Sequence, residues 1–243
     1  MSLEKINIGF VLFPNFNALD LVGPHEVLSR LHSRCILISE NAGTVLSEKG
    51  IAINTDAGFQ DCPSVEILVV IGGPGQSDVM NHSGLMTFLR KQALHARYVA
   101  GVCTGTLLLA SSGLLQGRRA TTHWLARDEL VKYGVIPVKE RVVWDGKFIT
   151  GAGVSAGIDL ALILAEKVAG EDASRLIQLA IEYDPAPPFD SGSPEKASSF
   201  LVDQLQKTSR FHMGKSDDGF LGTNLGQRVL GDSRKCPEIN NRK

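Results

Sequence analysis

Four stretches in the first half of the chain are apolar almost without interruption over strand length: INIGFVLF at 6–13, RCILIS at 34–39, EILVVI at 66–71 and RYVAGV at 97–102. A strand with one wet face alternates polar and apolar residues; a strand covered on both faces does not need to. Between these runs lie segments with helical spacing, Leu19 to Leu31, Gly84 to Ala96 and Thr104 to Gly113. Strand and helix in alternation predict an α/β sandwich of three layers with a mostly parallel sheet. VVWDGKFI at 142–149 adds a hairpin, because Asp145-Gly146 suits a tight turn between two strand-like pieces. Helices are expected at Ser155 to Val168 and Asp172 to Tyr183.

The 243 residues, 43% hydrophobic and 21% charged, suffice for one sizeable core. The composition shifts at Asp184, where DPAPPFDSGSPEKA is rich in Pro, Gly and Ser. Residues 1–190 are therefore read as the α/β domain and 191–243 as a C-terminal helix and tail. That helix is expected over Ser193 to Thr208, with Ser193 as N-cap and Pro194 at the first helical position. From Ser209 onward the chain is polar and Gly-rich, which suggests an extended or partly disordered appendage.

With 25 basic and 26 acidic residues the net charge is -1, so no overall field attracts nucleic acid or an anionic membrane. No apolar run approaches the ~20 residues of a membrane span. The N-terminus lacks the pattern of a secretory signal, and the expected location is cytoplasmic. Cys35, Cys62, Cys103 and Cys236 form no CxxC pair, and the histidines show no metal-ligand spacing, so neither a metal nor a dithiol is expected.

Cys103 differs from the other three. It sits in AGVCTGTLLLA, where a strand run ends and a helical run begins. In open α/β sheets ligands collect at the carboxyl ends of strands. Three loops arrive there: 14–23, the Gly72-Gly-Pro-Gly75 segment, and 102–105. A helix start favours a thiolate, and Gly101 and Gly105 ease a sharp turn. Gly72 and Gly73 leave room for backbone N–H groups to approach a developing negative charge, as in an oxyanion hole. Asp20 lies in an otherwise apolar stretch, either as the N-cap of the next helix or as an acid kept protonated by burial. His123 is a base for Cys103 or a structural histidine, and Thr104 a neighbouring hydroxyl or an ordinary first-turn residue. From these residues alone Cys103 is evenly poised between packing and chemistry.

The ordered set Phe13-Pro14, LDLVGP at 19–24, GGPG at 72–75, VCTG at 102–105 and ATTHW at 120–124 resembles the ThiJ/PfpI superfamily of class I glutamine amidotransferase-like proteins. That resemblance implies a flavodoxin-like sandwich with its cysteine on a nucleophile elbow. ITGAGVSAGID at 149–159 and IQLAIEYDPAPPF at 177–189 are similar to the isonitrile hydratase branch. The resemblance covers roughly residues 5–195 and implies cofactor-free hydration of an isonitrile to an N-substituted formamide by a homodimer. It implies Cys103 as nucleophile through a thioimidate, Asp20 as proton donor and Thr104 as positioning group. Gly72 and Gly73 would supply backbone donors, with His123, Trp124 and Gly153 around the pocket. Leu19, Leu21 and Val22 would keep the surroundings of Asp20 apolar. Thr104 departs from the protease-like relatives, which carry histidine there.

Two rivals accompany this reading. AraC-type regulators contain a similar sensing domain; their DNA-binding part needs about 100 residues and only some 50 follow Asp190 here, which leaves a non-catalytic ligand-sensing domain without DNA binding as the rival. Glyoxalase or deglycase chemistry on the same fold usually uses a glutamate near the cysteine, where this chain has Asp20.

Overall fold

The computed structural model describes residues 5–211. The continuously apolar runs are strands β1 (Ile6–Val11), β2 (Ser33–Ser39), β6 (Ile67–Val70) and β7 (Tyr98–Val102). The hairpin is β10 (Val142–Asp145) and β11 (Phe148–Gly151), turning through Gly146 at φ +62°. With the short β5 (Ala57–Gly58) they form one seven-stranded sheet in the order β10-β11-β7-β6-β1-β2-β5. Every pairing in it is parallel except β10 with β11. Two ribbons stand apart, β3 (Thr44–Leu46) with β4 (Ala52–Asn54), and β8 (Arg119–Ala120) with β9 (Ile136–Pro137).

Helices α1 (Ala18–Leu28), α2 (Gln76–Val79), α3 (Ser83–His95), α4 (Gly105–Ser111), α5 (Ala156–Ala169) and α6 (Glu171–Ala180) occupy the connections, with a 3-10 helix over Trp124–Tyr133. α1 packs on α5 and α5 on α6, while α4 packs on α3, β6 and β7. The continuous apolarity is thereby explained: β6 is buried at every residue, and Ile8, Phe10 and Val11 of β1 are 0% exposed. Burial of this kind dominates the stability of such a sheet, and truncating Phe10 to alanine would cost about 3–5 kcal/mol through the cavity left behind.

The C-terminal helix differs from its expectation. α7 covers Ser199–Lys207 rather than starting at Ser193. The N–H groups of Lys196 and Ala197 both return to the Ser193 carbonyl, closing a turn, and the Glu195 carboxylate pairs with Lys139 instead of supporting a helix start. Most of the expected tail, with Cys236, lies outside the described residues. Its first residues are described: Ser209 is buried, and Arg210 bonds to the segment that follows β6. Among the described residues no helix is long and apolar enough to cross a membrane.

Candidate active site

β7 ends at Val102 and α4 begins at Gly105, so Cys103 and Thr104 make the whole turn between them. Cys103 takes φ +53°, a left-handed conformation that costs a side-chain-bearing residue of order 1–3 kcal/mol and persists only where the surroundings enforce it. They do so from two sides: the Cys103 N–H donates to the Gly151 carbonyl at 3.1 Å, and the Thr122 hydroxyl donates to the Cys103 carbonyl at 2.7 Å. The strain therefore sits on the cysteine itself, and the glycines serve close approach. A Cβ on Gly105 would stand 2.2 Å from the Val70 carbonyl oxygen, so only glycine lets α4 start this close to β6.

Asp20 is not the N-cap of α1. Asn17 is: its Oδ1 accepts the N–H groups of Leu19 and Asp20 at 3.0 and 3.4 Å. That frees the Asp20 side chain, which is 0% exposed. Its Oδ2 accepts the Gly72 N–H at 3.0 Å, while Oδ1, also buried, has no conventional hydrogen-bond partner. Burial pushes the Asp20 carboxyl from its usual 3.8 up to about 8; the Gly72 N–H and the Cys103 thiol act against that rise, and the charge of Glu48 adds to it. Asp20 is thus a carboxylic acid at neutral pH. Leu21 is buried, whereas Leu19 and Val22 are 42% and 48% exposed, so those two do not wall the acid as expected.

Cys103 is 3% exposed, and burial raises its thiol pKa well above the ordinary value, with the Asp20 charge, once ionised, adding to the rise. The Thr104 N–H works in the opposite direction without prevailing. The expected lowering by the helix start is therefore overturned: α4 has only 7 residues, and desolvation outweighs its N-terminal field. With both pKa values raised, the resting pair is a neutral thiol beside a neutral acid.

Thr104 is buried, and its hydroxyl lies 3.0 Å from the Gly73 N–H, which donates to it, and 3.2 Å from the Gly73 carbonyl, to which it donates. The N–H groups of Gly72 and Gly73 are therefore already committed, one to each flanking side chain. This geometry does not favour the open oxyanion hole expected there; the glycine loop is a clamp on Asp20 and Thr104. A Cβ on Gly72 would lie 2.8 Å from both Asp20 Oδ2 and Thr104 Oγ1.

His123 serves as a helix cap. Its Nδ1 accepts the Leu125 N–H at 3.3 Å at the start of the 3-10 helix. Burial, with the Arg127 charge, lowers its pKa from 6.5 to about 4, so it is neutral. Its ring stacks near Trp124 at 6.1 Å, and a Cβ on Gly153 would stand 3.4 Å from it. The direct tie from this segment to the elbow is Thr122, which the sequence reading missed although it is the neighbour of His123 in ATTHW. Asn17 was missed too, despite the signal of an Asn three residues before an acid at a helix start. Among the described residues no cluster of three or more His, Cys, Asp or Glu side chains could hold a metal ion.

A cysteine forced into left-handed backbone between a central parallel strand and the next helix defines the class: a flavodoxin-like α/β sandwich with a nucleophile elbow. Within that class the chain belongs to the DJ-1/PfpI family, which it matches over residues 6–167. It is 48% identical over 203 residues to the isonitrile hydratase of Pseudomonas putida, covering 83% of this chain and 89% of that one. It is 33% identical to the HTH-type transcriptional regulator CdhR of Pseudomonas aeruginosa over 66% of this chain, but spans only 50% of that regulator. Its fold superposes on a THiJ/PfpI family protein from Pseudomonas syringae with a TM-score of 0.83 at 33% identity, covering 86% of this chain and 88% of that one.

Proposed function

We propose that this protein hydrates isonitriles, R–N≡C, to N-substituted formamides, with Cys103 as nucleophile and Asp20 as proton donor. The observation that carries the reading is Asp20: a buried acid, protonated at neutral pH, whose Oδ1 has no conventional partner and whose carboxyl interacts with the elbow thiol. With Gly72 N–H on Oδ2, the acid's proton belongs on Oδ1. Sulfur attacks the terminal carbon as Asp20 protonates that carbon, and the thiol's own proton replaces the one given up. The sum is Cys–SH plus R–N≡C giving Cys–S–CH=N–R. Water then adds across the C=N bond with proton relay through Asp20, and C–S cleavage releases R–NH–CHO and the thiol. Thr104, fixed by Gly73, orients the intermediate or the water.

The 48% identity to an isonitrile hydratase over most of both chains supports the substrate class. The reading extends to a cofactor-independent, cytoplasmic homodimer. Free thiols at Cys35, Cys62 and Cys103 suit a reducing compartment, and exposed Leu19 and Val22 on the helix that carries Asp20 suit a covered face.

Cyclohexyl isocyanide is the test substrate. The wild type is expected to yield N-cyclohexylformamide, and denaturation during turnover should trap an adduct on Cys103 of the mass of one substrate molecule. Undiminished turnover by Cys103→Ala would remove the covalent route. An inert wild type that consumes methylglyoxal would transfer the assignment to glyoxalase chemistry.

A further inference from the structure

The glycine loop that clamps Asp20 and Thr104 is itself held from outside, by a residue far along the chain. Arg210, just beyond α7, sends its guanidinium across a separation of 137 residues to the loop. Nη2 donates to the Gly73 carbonyl at 3.4 Å and to Gln76 Oε1 at 3.0 Å. Nη1 donates to the Pro74 carbonyl and, at 3.0 Å, to Ser77 Oγ. Gln76 is fully buried, Ser209 is buried, and the Phe211 ring lies 4.7 Å from the guanidinium carbon, so the side chain is held on several sides. Four hydrogen bonds from one planar fork, two to the Gly73 and Pro74 carbonyls and two to the Gln76 and Ser77 side chains, tie the glycine loop to the start of α2 as a single ammonium cannot.

We propose that Arg210 is a positioning residue for the Cys103–Asp20 pair, holding the Gly73 and Pro74 carbonyls and the Gln76 and Ser77 side chains so that the Gly72 and Gly73 N–H groups stay aimed at Asp20 and Thr104. The peptide between Gly72 and Gly73 and the one between Gly73 and Pro74 share the Gly73 Cα, so a carbonyl held on one side restricts the N–H on the other. Asp20, once ionised, disfavours the Cys103 thiolate, and Arg210 favours it. Behind them Glu48 acts on Asp20, and Asp78 on Arg210. Arg210 is the cation that acts on the thiol, and its effect reaches sulfur without contact with substrate.

The inference rests on Cys103 and Asp20 as the reacting pair, and it is independent of which electrophile they take. Its test accordingly uses two readouts. Thiolate ultraviolet absorbance against pH, with Cys103→Ala subtracted, follows the sulfur alone; initial rates on cyclohexyl isocyanide follow turnover. Arg210→Gln is expected to raise the apparent pKa of Cys103 by about one unit, slowing iodoacetamide alkylation about tenfold at fixed pH. It should also lower kcat by about 10–100-fold with little change in KM. Arg210→Lys is expected to restore most of the alkylation rate, because it keeps the charge, but not kcat, because it lacks the fork. Arg210→Gln that titrates and alkylates like wild type would overturn the electrostatic role, and full kcat in Arg210→Lys would overturn the positional one. Should Arg210→Gln fail to fold, Arg210→Lys alone decides the positional role by its kcat. If the wild type is inert to isonitriles, the hydratase reading fails while the thiol titration still judges the electrostatic role of Arg210.

Discussion

Two buried titratable groups lie in different parts of the fold, Asp20 on α1 and His123 in the turn after β8, and burial drives each to its neutral form. The acid rises to about 8 and the imidazole falls to about 4. Their spare atoms part them. His123 uses Nδ1 on the Leu125 N–H, as any N-cap acceptor would. Asp20 uses one oxygen on Gly72 and keeps the other without a conventional partner in a buried setting next to the thiol. A shifted pKa alone thus marks burial; a buried acid set against a strained cysteine is what singles out Asp20 as the candidate for chemistry.

The comparison breaks first at Asp20. Asp20→Ala is expected to reduce isonitrile turnover by at least ~10³-fold, since it removes both the proton source and its relay, a contribution of the size expected for general acid catalysis at its upper end. Thermal unfolding monitored alongside keeps loss of fold separate from loss of chemistry. A residual rate within tenfold of wild type would make Asp20 a packing residue.

Next comes the clamp. Gly72→Ala inserts a Cβ 2.6 Å from the Thr104 N, with Asp20 Oδ2 and Thr104 Oγ1 only slightly farther. The two side chains must separate, and kcat should fall by about 10²-fold, as for small misplacements of reacting groups. Gly192→Ala, where an added Cβ meets nothing within 4 Å, is the matched control and should behave as wild type in the same assay.

Much of this was legible in the sequence. Continuous apolarity at 6–13, 34–39, 66–71 and 97–102 signals strands covered twice, and all four lie side by side, parallel, in one sheet. AGVCTG reads as a strand-to-helix turn because an apolar run, a cysteine and a helix-prone run follow one another. The destinations of hydrogen bonds were not legible. Nothing local reveals that Gly72 and Gly73 donate inward to side chains, or that Arg210 reaches Pro74. Those contacts join segments 31 to 137 residues apart, and only the assembled fold brings them together. Dipole reasoning failed at Cys103 for a related reason: the helix start is local, whereas the desolvation that outweighs it comes from the whole core.

A third effect concerns stability. Unfolded, Asp20 ionises near 3.8; folded, near 8. Between those values the folded chain retains a proton that the unfolded chain has released, so raising pH through the window weakens the wild type by up to ~1.4 kcal/mol per unit. Asp20→Asn keeps an acceptor for Gly72 and never ionises. Its stability relative to wild type should rise from about pH 4 to about pH 8 and then level off, read by urea midpoints across pH. A flat difference would mean that the carboxyl titrates at its ordinary value.

The smallest expected effect sharpens the comparison from the other side. His123→Asn retains a side-chain oxygen able to accept the Leu125 N–H, so the cap survives and stability should change by less than ~1 kcal/mol. Because His123 is already neutral above about pH 4, its loss should remove no inflection from the pH–rate profile near neutrality. Turnover is expected within about threefold of wild type, well below the 10²-fold or more of a general base. If the variant instead loses turnover by a hundredfold while its melting temperature holds, the imidazole has a task beyond capping. The neutral-acid mechanism built on Asp20 would then need a second proton carrier at Nε2.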